Sequence, residues 1–361
     1  ELQPHRVIAF RQQYTDHLRT HPRFFPLTPF VQTRPVPDTC FLCDKGLTFS
    51  SFAGILSYMT EKDTWQDQAD DGPQLTVHAF DRFDVTAGSS PILISVPHSG
   101  RVYPPELLAR ARLSASQMRM LEDRHADALV QPLIDAGHAG LIALAPRAMI
   151  DLNRDERDID ASLVRGIPPG TPTTESVKQR GGLGLFPRSL PHMGELWHRN
   201  LDWSEATRRI AYIHRPYHGA IEEMMNDLFA LHGTVLLLDV HSMPPLLPGR
   251  LAGPAPDIVI GDRFGASAGS RLSETARHVA IAHGFNVALN HPYAGSYLLD
   301  RHGAPMRNRH ALQIEVSRAL YLDSGFDKIT TGLGRIQTLM SALVEALSDE
   351  LTGQNWAEAA E

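Results

Sequence analysis

The sequence predicts an α/β fold: a single domain in which a mainly parallel, mixed sheet carries helices on both faces. Three observations lead there. Short runs that are apolar at nearly every position, such as Ile92-Leu93-Ile94-Ser95-Val96 and Val235-Leu236-Leu237-Leu238-Asp239-Val240, mark strands covered on both sides. Such runs alternate with stretches of helical spacing, the pattern of strand–helix–strand units rather than of hairpins. The chain has 361 residues, 42% hydrophobic and 21% charged, enough apolar material for one large core.

Taken in order, the first strand is expected over Ile92–Val96 and ends at Pro97-His98-Ser99-Gly100. Residues 114–136 read as helix, with Ser114 as N-cap, Gly137 past the end and Pro132 as a kink. Strands follow at Leu141–Leu144 and Ala148–Leu152. Helical spacing over 203–231 includes Ile213, Tyr217, Ile221 and Leu228, with Pro216 expected to divide it in two. Val235–Val240 is the clearest buried strand. Further strands are expected at Asp257–Gly261, Phe285–Asn290 and Leu312–Val316, with helices over 267–283 and 326–351.

The domain is expected over 77–351, with 352–361 as a tail and 1–76 outside the fold. Pro26, Pro29, Pro35 and Pro37 interrupt the opening stretch, and no period is sustained there. The polar run Met59-Thr60-Glu61-Lys62-Asp63 resembles a bacterial start, so 1–58 reads as an upstream extension. A flexible N-terminal arm is the alternative.

A net charge of −7 without a lysine/arginine block argues against nucleic acid as a partner. No run of about 18 apolar residues suggests a membrane span. No basic-then-apolar leader is seen, so a cytoplasmic protein acting on a small molecule is expected, its oligomeric state left open. Cys40 and Cys43 form a lone C-x-x-C with no second pair to complete a zinc ribbon, and no role is expected of them.

In open α/β sheets, sites gather at the carboxyl ends of strands. Here His98, Asp239-Val240-His241-Ser242, Asp151-Leu152-Asn153-Arg154 and Gln313-Ile314-Glu315 all fall at such ends. Any one of them reads equally well as a cap or a loop anchor; four together point to a site. Two imidazoles and a carboxylate are what a catalytic zinc takes, with a position left for water. His98 and His241 would supply the imidazoles, and Glu122-Asp123-Arg124-His125-Ala126-Asp127 the carboxylate. On a helix Asp123 and Asp127 share one face, a spacing that without the histidines would read as a solvated acidic surface.

From about Val77 to Asp323 the chain resembles the N-formylglutamate amidohydrolase family, whose fold and site are similar to those of zinc carboxypeptidases and aspartoacylases. The resemblance rests on Ser95-Val96-Pro97-His98-Ser99-Gly100, Glu122-Asp123, Asp151-Leu152-Asn153-Arg154 and Gly184-Leu185-Phe186-Pro187. It continues through Arg215-Pro216-Tyr217-His218, Leu238-Asp239-Val240-His241-Ser242 and Ile260-Gly261-Asp262-Arg263-Phe264-Gly265. Pro292-Tyr293-Ala294-Gly295, His310-Ala311-Leu312-Gln313-Ile314-Glu315 and Arg318-Ala319-Leu320-Tyr321 close it.

The resemblance implies one Zn2+ or another divalent ion on His98, His241 and Asp123, with Glu122 as the alternative acid. Carboxypeptidase-like sites carry a glutamate three residues after the first histidine; here that place is Arg101. His125 and Asp127 would orient ligands. Asn153 and Arg154 resemble the pair that grips the substrate carboxylate, for which a planar guanidinium is suited. A second carboxylate requires a second cation, from Arg301, Arg215 or Arg147, with Arg301 preferred for following the Pro-Tyr-Ala-Gly turn. Glu315 resembles the general base; its apolar neighbours would raise its proton affinity, unless it faces solvent on an edge strand. His218 or His310 would donate to the developing oxyanion.

The implied reaction is hydrolysis of N-formyl-L-glutamate to formate and L-glutamate, within histidine degradation. The alternatives are a deacylase or carboxypeptidase-like enzyme acting on another N-acyl amino acid, and a non-catalytic binding protein of the same fold. A serine hydrolase using Ser99 or Ser242 is disfavoured, since no Gly-x-Ser-x-Gly elbow occurs.

Overall fold

The computed structural model describes residues 78–247 and 254–353. The expected extension over 1–76, with Cys40 and Cys43, lies outside the described residues, as does the tail beyond Gly353.

Seven strands form one mixed sheet: β1 (Phe80–Phe83), β2 (Ile92–Val96), β3 (Gly140–Ala143), β4 (Val235–Met243), β5 (Ile258–Gly261), β6 (Val287–Leu289) and β7 (Arg309–Ser317). Their order is β1-β3-β2-β4-β7-β5-β6. The central four, β3-β2-β4-β7, are parallel, while β1 and the β5–β6 pair run against them. The principal helices are α1 (Ala126–Asp135), α2 (Arg215–His232), α3 (Ser270–Ala282), α4 (Tyr297–His302) and α5 (Leu333–Thr352). Among the described residues, no helix is long and apolar enough to cross a membrane.

Strand periodicity divides the core. Leu93, Leu237 and Ala311 point to one face and pack with Tyr217, Ile221, Met224 and Leu228 of α2. Ile94, Leu238, Leu312 and Ile314 point to the other, under α1, α3 and α5 through Leu129, Ala276 and Leu339. Each such leucine or isoleucine contributes about 1.5–3 kcal/mol by burial. β4 and β7 pair residue for residue, Asp239 opposite Gln313 and His241 opposite Glu315. On the α2 face the amino-terminal halves of these strands are therefore apolar (Val235, Leu237, Ala311), and the carboxyl halves polar (Asp239, His241, Gln313, Glu315).

Four expectations are corrected. The stretch 114–136 is not one helix. Ser114 does cap a short helix over Ala115–Met118, followed by a 3-10 turn over Arg119–Leu121, but Glu122 is extended and His125 left-handed before α1 begins. Asp123 thus lies in a loop and shares no helix face with Asp127; its amide is bonded instead to the carbonyl of His98 at 2.9 Å. Helix propensity is weak against a buried tertiary hydrogen bond. Ala148–Leu152 is no strand but a buried loop that folds back on its own Asp151. Pro216 does not split its helix: a π turn over Ile210–His214 joins Trp203–Arg209 to α2, and its wider turn accommodates the missing N–H. β1, four residues at the sheet edge, carries too little pattern to be read from sequence.

Candidate metal centre

The loop after β2 carries His98 into the end of the sheet. Ser99 anchors it by donating to the carbonyl of Ala143 at 2.8 Å. Gly100 is required by a close approach, since a Cβ there would stand 2.1 Å from the oxygen of Ala145. His241 arrives on β4 and Asp123 from the loop before α1. One ligand atom from each of these three buried residues lies within 4.8 Å of the others. Asp123 Oδ2 stands 2.8 Å from His241 Nδ1 and 3.4 Å from His98 Nδ1.

The far nitrogens explain why these Nδ1 atoms are presented. His98 Nε2 donates to Asp151 Oδ1 at 2.7 Å, and His241 Nε2 to Asp239 Oδ2 at 2.8 Å. An imidazole that donates through Nε2 to a buried carboxylate keeps an Nδ1 lone pair for a ligand, the arrangement typical of metal-bound histidine. His98 Nδ1 is buried and has no hydrogen-bond partner. The carboxylates are themselves supported: Asp239 by Ser95 Oγ at 3.1 Å, Asp151 by Arg147 Nε and the amide of Asn153, each at 2.9 Å. Two imidazoles and one carboxylate, buried and pre-oriented, could hold a divalent ion.

Burial opposes the charge on Asp123, but the hydrogen bond from His241 and the nearby imidazole of His98 outweigh it and hold the carboxyl well below its usual range. Burial pulls His241 down, but Asp239 and Asp123 outweigh this and hold it well above. An ion would compete with that proton. Glu315 is pushed up to about 7, chiefly by burial, with His241 pulling the other way. Gln313 Nε2 donates to Glu315 Oε1 at 2.9 Å.

Cations ring the group. Arg318 Nη2 donates to Asp123 Oδ1 at 3.1 Å and to the carbonyl of Glu122. Arg147 acts electrostatically on Asp123 and Glu315 as well as on Asp151. Arg154 is held by Leu183 O through Nε, and by Asn153 O and Ser296 Oγ through Nη1. Its Nη2 has no hydrogen bond among the described residues. Lys178, on the turn Val177–Arg180, feels Arg154, Arg147, Asp151 and Glu315. The segment Pro292–Gly295 crosses β5 at Gly261, where a Cβ would lie 2.7 Å from the Ala294 carbonyl carbon. That crossing brings Tyr293 into the field of Glu315, Arg318 and Asp123. It also lets the Leu298 amide donate to Asn153 Oδ1 at 2.9 Å.

Other expected site residues sit elsewhere. Glu122 is taken by Tyr103 and Arg124 at 2.7 and 2.8 Å. Asp127 forms a two-pronged pair with Arg101, and His125 bonds the carbonyl of Asp327, so neither orients a ligand. Arg215 is exposed and paired with Glu156. Arg301 is exposed and bonded to Tyr297. His310 is the second residue of β7, on the opposite face and five residues from Glu315, or about 16 Å of extended chain, which sets it apart from the His98–Asp123–His241 group. His218 is fully buried with both ring nitrogens engaged, by Leu152 O and His302, leaving no donor for an oxyanion. Ser99 and Ser242 are occupied as anchors. Asp239, Arg318, Tyr293 and Lys178 were given no role from sequence. Two-residue spacing from His241 marks Asp239 as sharing its face, and Tyr293 and Arg318 lie within motifs of the family resemblance, while nothing local marks Lys178.

The sequence profile of the N-formylglutamate amidohydrolase family matches residues 90–322. An N-formylglutamate deformylase of Pseudomonas putida is 29% identical over 239 residues, covering 65% of this chain and 83% of that protein. The crystal structure of an N-formylglutamate amidohydrolase from Ralstonia eutropha JMP134 aligns with TM-score 0.70 and 31% identity, over 76% of this chain and 99% of that one. A gene product of Agrobacterium tumefaciens shares the fold, with TM-score 0.51 at 19% identity over 78% and 96% of the two chains. With a profile match that takes in the whole metal-ligand group and Glu315, the chain belongs to the N-formylglutamate amidohydrolase family.

Proposed function

We propose that residues 77–351 hydrolyse N-formyl-L-glutamate to formate and L-glutamate, with one zinc ion held by His98, Asp123 and His241. The observation that carries this reading is the buried ligand group set beside Glu315 by the pairing of β4 with β7. The substrate follows from the names of the relatives, and a place in cytoplasmic histidine degradation from the substrate. When bound, the ion supplies a Lewis acid that polarises the formyl carbonyl and eases deprotonation of water.

The chain's own residues do the rest. Glu315 takes a proton from the attacking water as the C–O bond forms. It delivers that proton to the amide nitrogen as the C–N bond breaks. A carboxyl poised near 7 can do both. Arg154 Nη2 receives one substrate carboxylate, while Arg147 and Lys178 supply positive potential for the other. The hydroxyl of Tyr293, which lies in the field of Glu315 and Asp123, donates to the developing oxyanion, in the role expected from sequence of His218 or His310. Asp151 and Asp239 hold the two imidazoles in their ligating tautomer.

The test is elemental analysis of the purified protein, with formate release from N-formylglutamate and acetate release from N-acetylglutamate measured before and after chelation. Bound zinc, formate release lost to chelator and restored by zinc, and little acetate are expected. Chelator-insensitive turnover would remove the metal from the reaction; faster acetate release would remove the formyl assignment.

A further inference from the structure

Three histidines that touch no expected ligand lie behind the Asn153-Arg154 segment. His214 Nε2 is 2.8 Å from the carbonyl oxygen of Arg154, and His218 Nε2 is 3.0 Å from that of Leu152. His218 Nδ1 is 2.9 Å from His302 Nε2. A carbonyl oxygen only accepts, so both Nε2 atoms carry hydrogen. His218 Nδ1, in its neutral ring, then accepts from His302 Nε2–H. All three rings are neutral in this arrangement, and burial lowers the proton affinity of each.

We infer that His214, His218 and His302 form a brace of positioning residues that fixes the substrate-carboxylate clamp. His214 and His218 stand one turn apart, where the π turn passes into α2, so a single helix end presents both donors. The carbonyls they hold flank Asn153, which sets the backbone on either side of that residue and thereby the direction of Arg154. The His218 and His302 rings lie nearly parallel, 5.3 Å apart, and the ring of Tyr297 stands edge-on to His218 at 5.3 Å. Tyr297 and His302 belong to α4, whose first turn also bonds the Asn153 side chain through Leu298. The segment is therefore gripped from two helices, by the imidazoles at the start of α2 and by a backbone amide of α4. This inference rests on the proposed role of Arg154.

Its test pairs leucine with glutamine at each position, because glutamine can place an N–H near the histidine Nε2 while leucine cannot. Loss of one buried hydrogen bond leaves a carbonyl unpaired, so His214→Leu and His218→Leu are expected to raise KM for N-formylglutamate about ten-fold or more, with kcat within about two-fold. His214→Gln and His218→Gln are expected to restore KM. Backbone hydrogen exchange over 150–156 is read alongside: faster in the leucine variants, near wild type in the glutamine variants, and unchanged over 92–96 in all. If a leucine variant fails to fold, His302→Gln, which can keep an N–H for His218 Nδ1, and His302→Ala, which removes that partner together with the ring beside it, carry the same comparison. Unchanged exchange over 150–156 would overturn the brace. Faster exchange with wild-type KM, or a loss confined to kcat, would overturn its link to the clamp. Absence of formylglutamate turnover in the wild type would instead refute the parent reading, leaving the exchange result to stand or fall alone.

Discussion

Glu315→Gln separates chemistry from architecture. The carboxamide is nearly isosteric, keeps an oxygen to accept from Gln313 Nε2, and removes only the ability to accept and return a proton. General-base catalysis contributes about 10²–10⁴-fold, so turnover should fall by that factor while zinc content stays at the wild-type level. Stability should move the other way. Burial raises the Glu315 pKa from 4.5 to about 7, which means the folded protein holds this proton more tightly than the unfolded chain does. The resulting contribution is complete below pH 4.5 and is lost as pH rises through about 7, above which a buried charge opposes folding. A neutral glutamine escapes that cost, worth at most about 3–4 kcal/mol for a shift from 4.5 to about 7 at roughly 1.4 kcal/mol per pH unit. Thermal unfolding of chelator-treated protein at pH 8 should therefore show Glu315→Gln melting higher than wild type, with the difference vanishing near pH 4.5. Formate release by the variant at the wild-type rate would refute the base assignment. A variant that is inactive and also less stable at pH 8 would refute the picture of an ionised carboxyl held against its burial.

Asp239→Ala removes the acceptor that holds His241 Nε2–H and should weaken zinc binding about 10–100-fold, read by competition with a chromophoric chelator; wild-type affinity would dismiss the orienting role. Arg154→Lys keeps the charge but loses the planar fork. KM for N-formylglutamate should rise about ten-fold or more with little change in kcat, and an unchanged KM would place the clamp elsewhere. The acid limb of the pH–rate profile should fall at or below pH 7, because Glu315 must be ionised to accept the proton and a divalent ion beside it lowers its pKa; a limb that shifts to a new pH without losing amplitude in Glu315→Gln would assign it to another group.

The element types of the parallel core were legible because strands buried on both faces leave unbroken apolar runs, as over Ile92–Val96 and Val235–Val240. His98, His241 and Glu315 were legible for a related reason: polar residues that end such runs have few structural excuses. The sequence misled where a local pattern met a stronger tertiary bond. Residues 114–136 have helical spacing, yet the loop that frees Asp123 is held by the carbonyl of His98. The Ala148–Leu152 run is apolar, yet it is buried as a loop around Asp151.

By itself, the sequence determined which residue types could do the chemistry and the strands that carry His241 and Glu315, since a two-residue period orients side chains whatever lies beyond the strand. Only the tertiary structure decided the partners. His218 and His310 are both histidines within family motifs, but one is sealed behind the Leu152–Arg154 backbone and the other lies near the start of the strand whose far end carries Glu315. Arg147 reaches the site, whereas Arg301 rests on Tyr297. Separation along the chain carries no record of which ends of a folded sheet converge, because that depends on strand order and direction, and these are set by the packing of both faces at once.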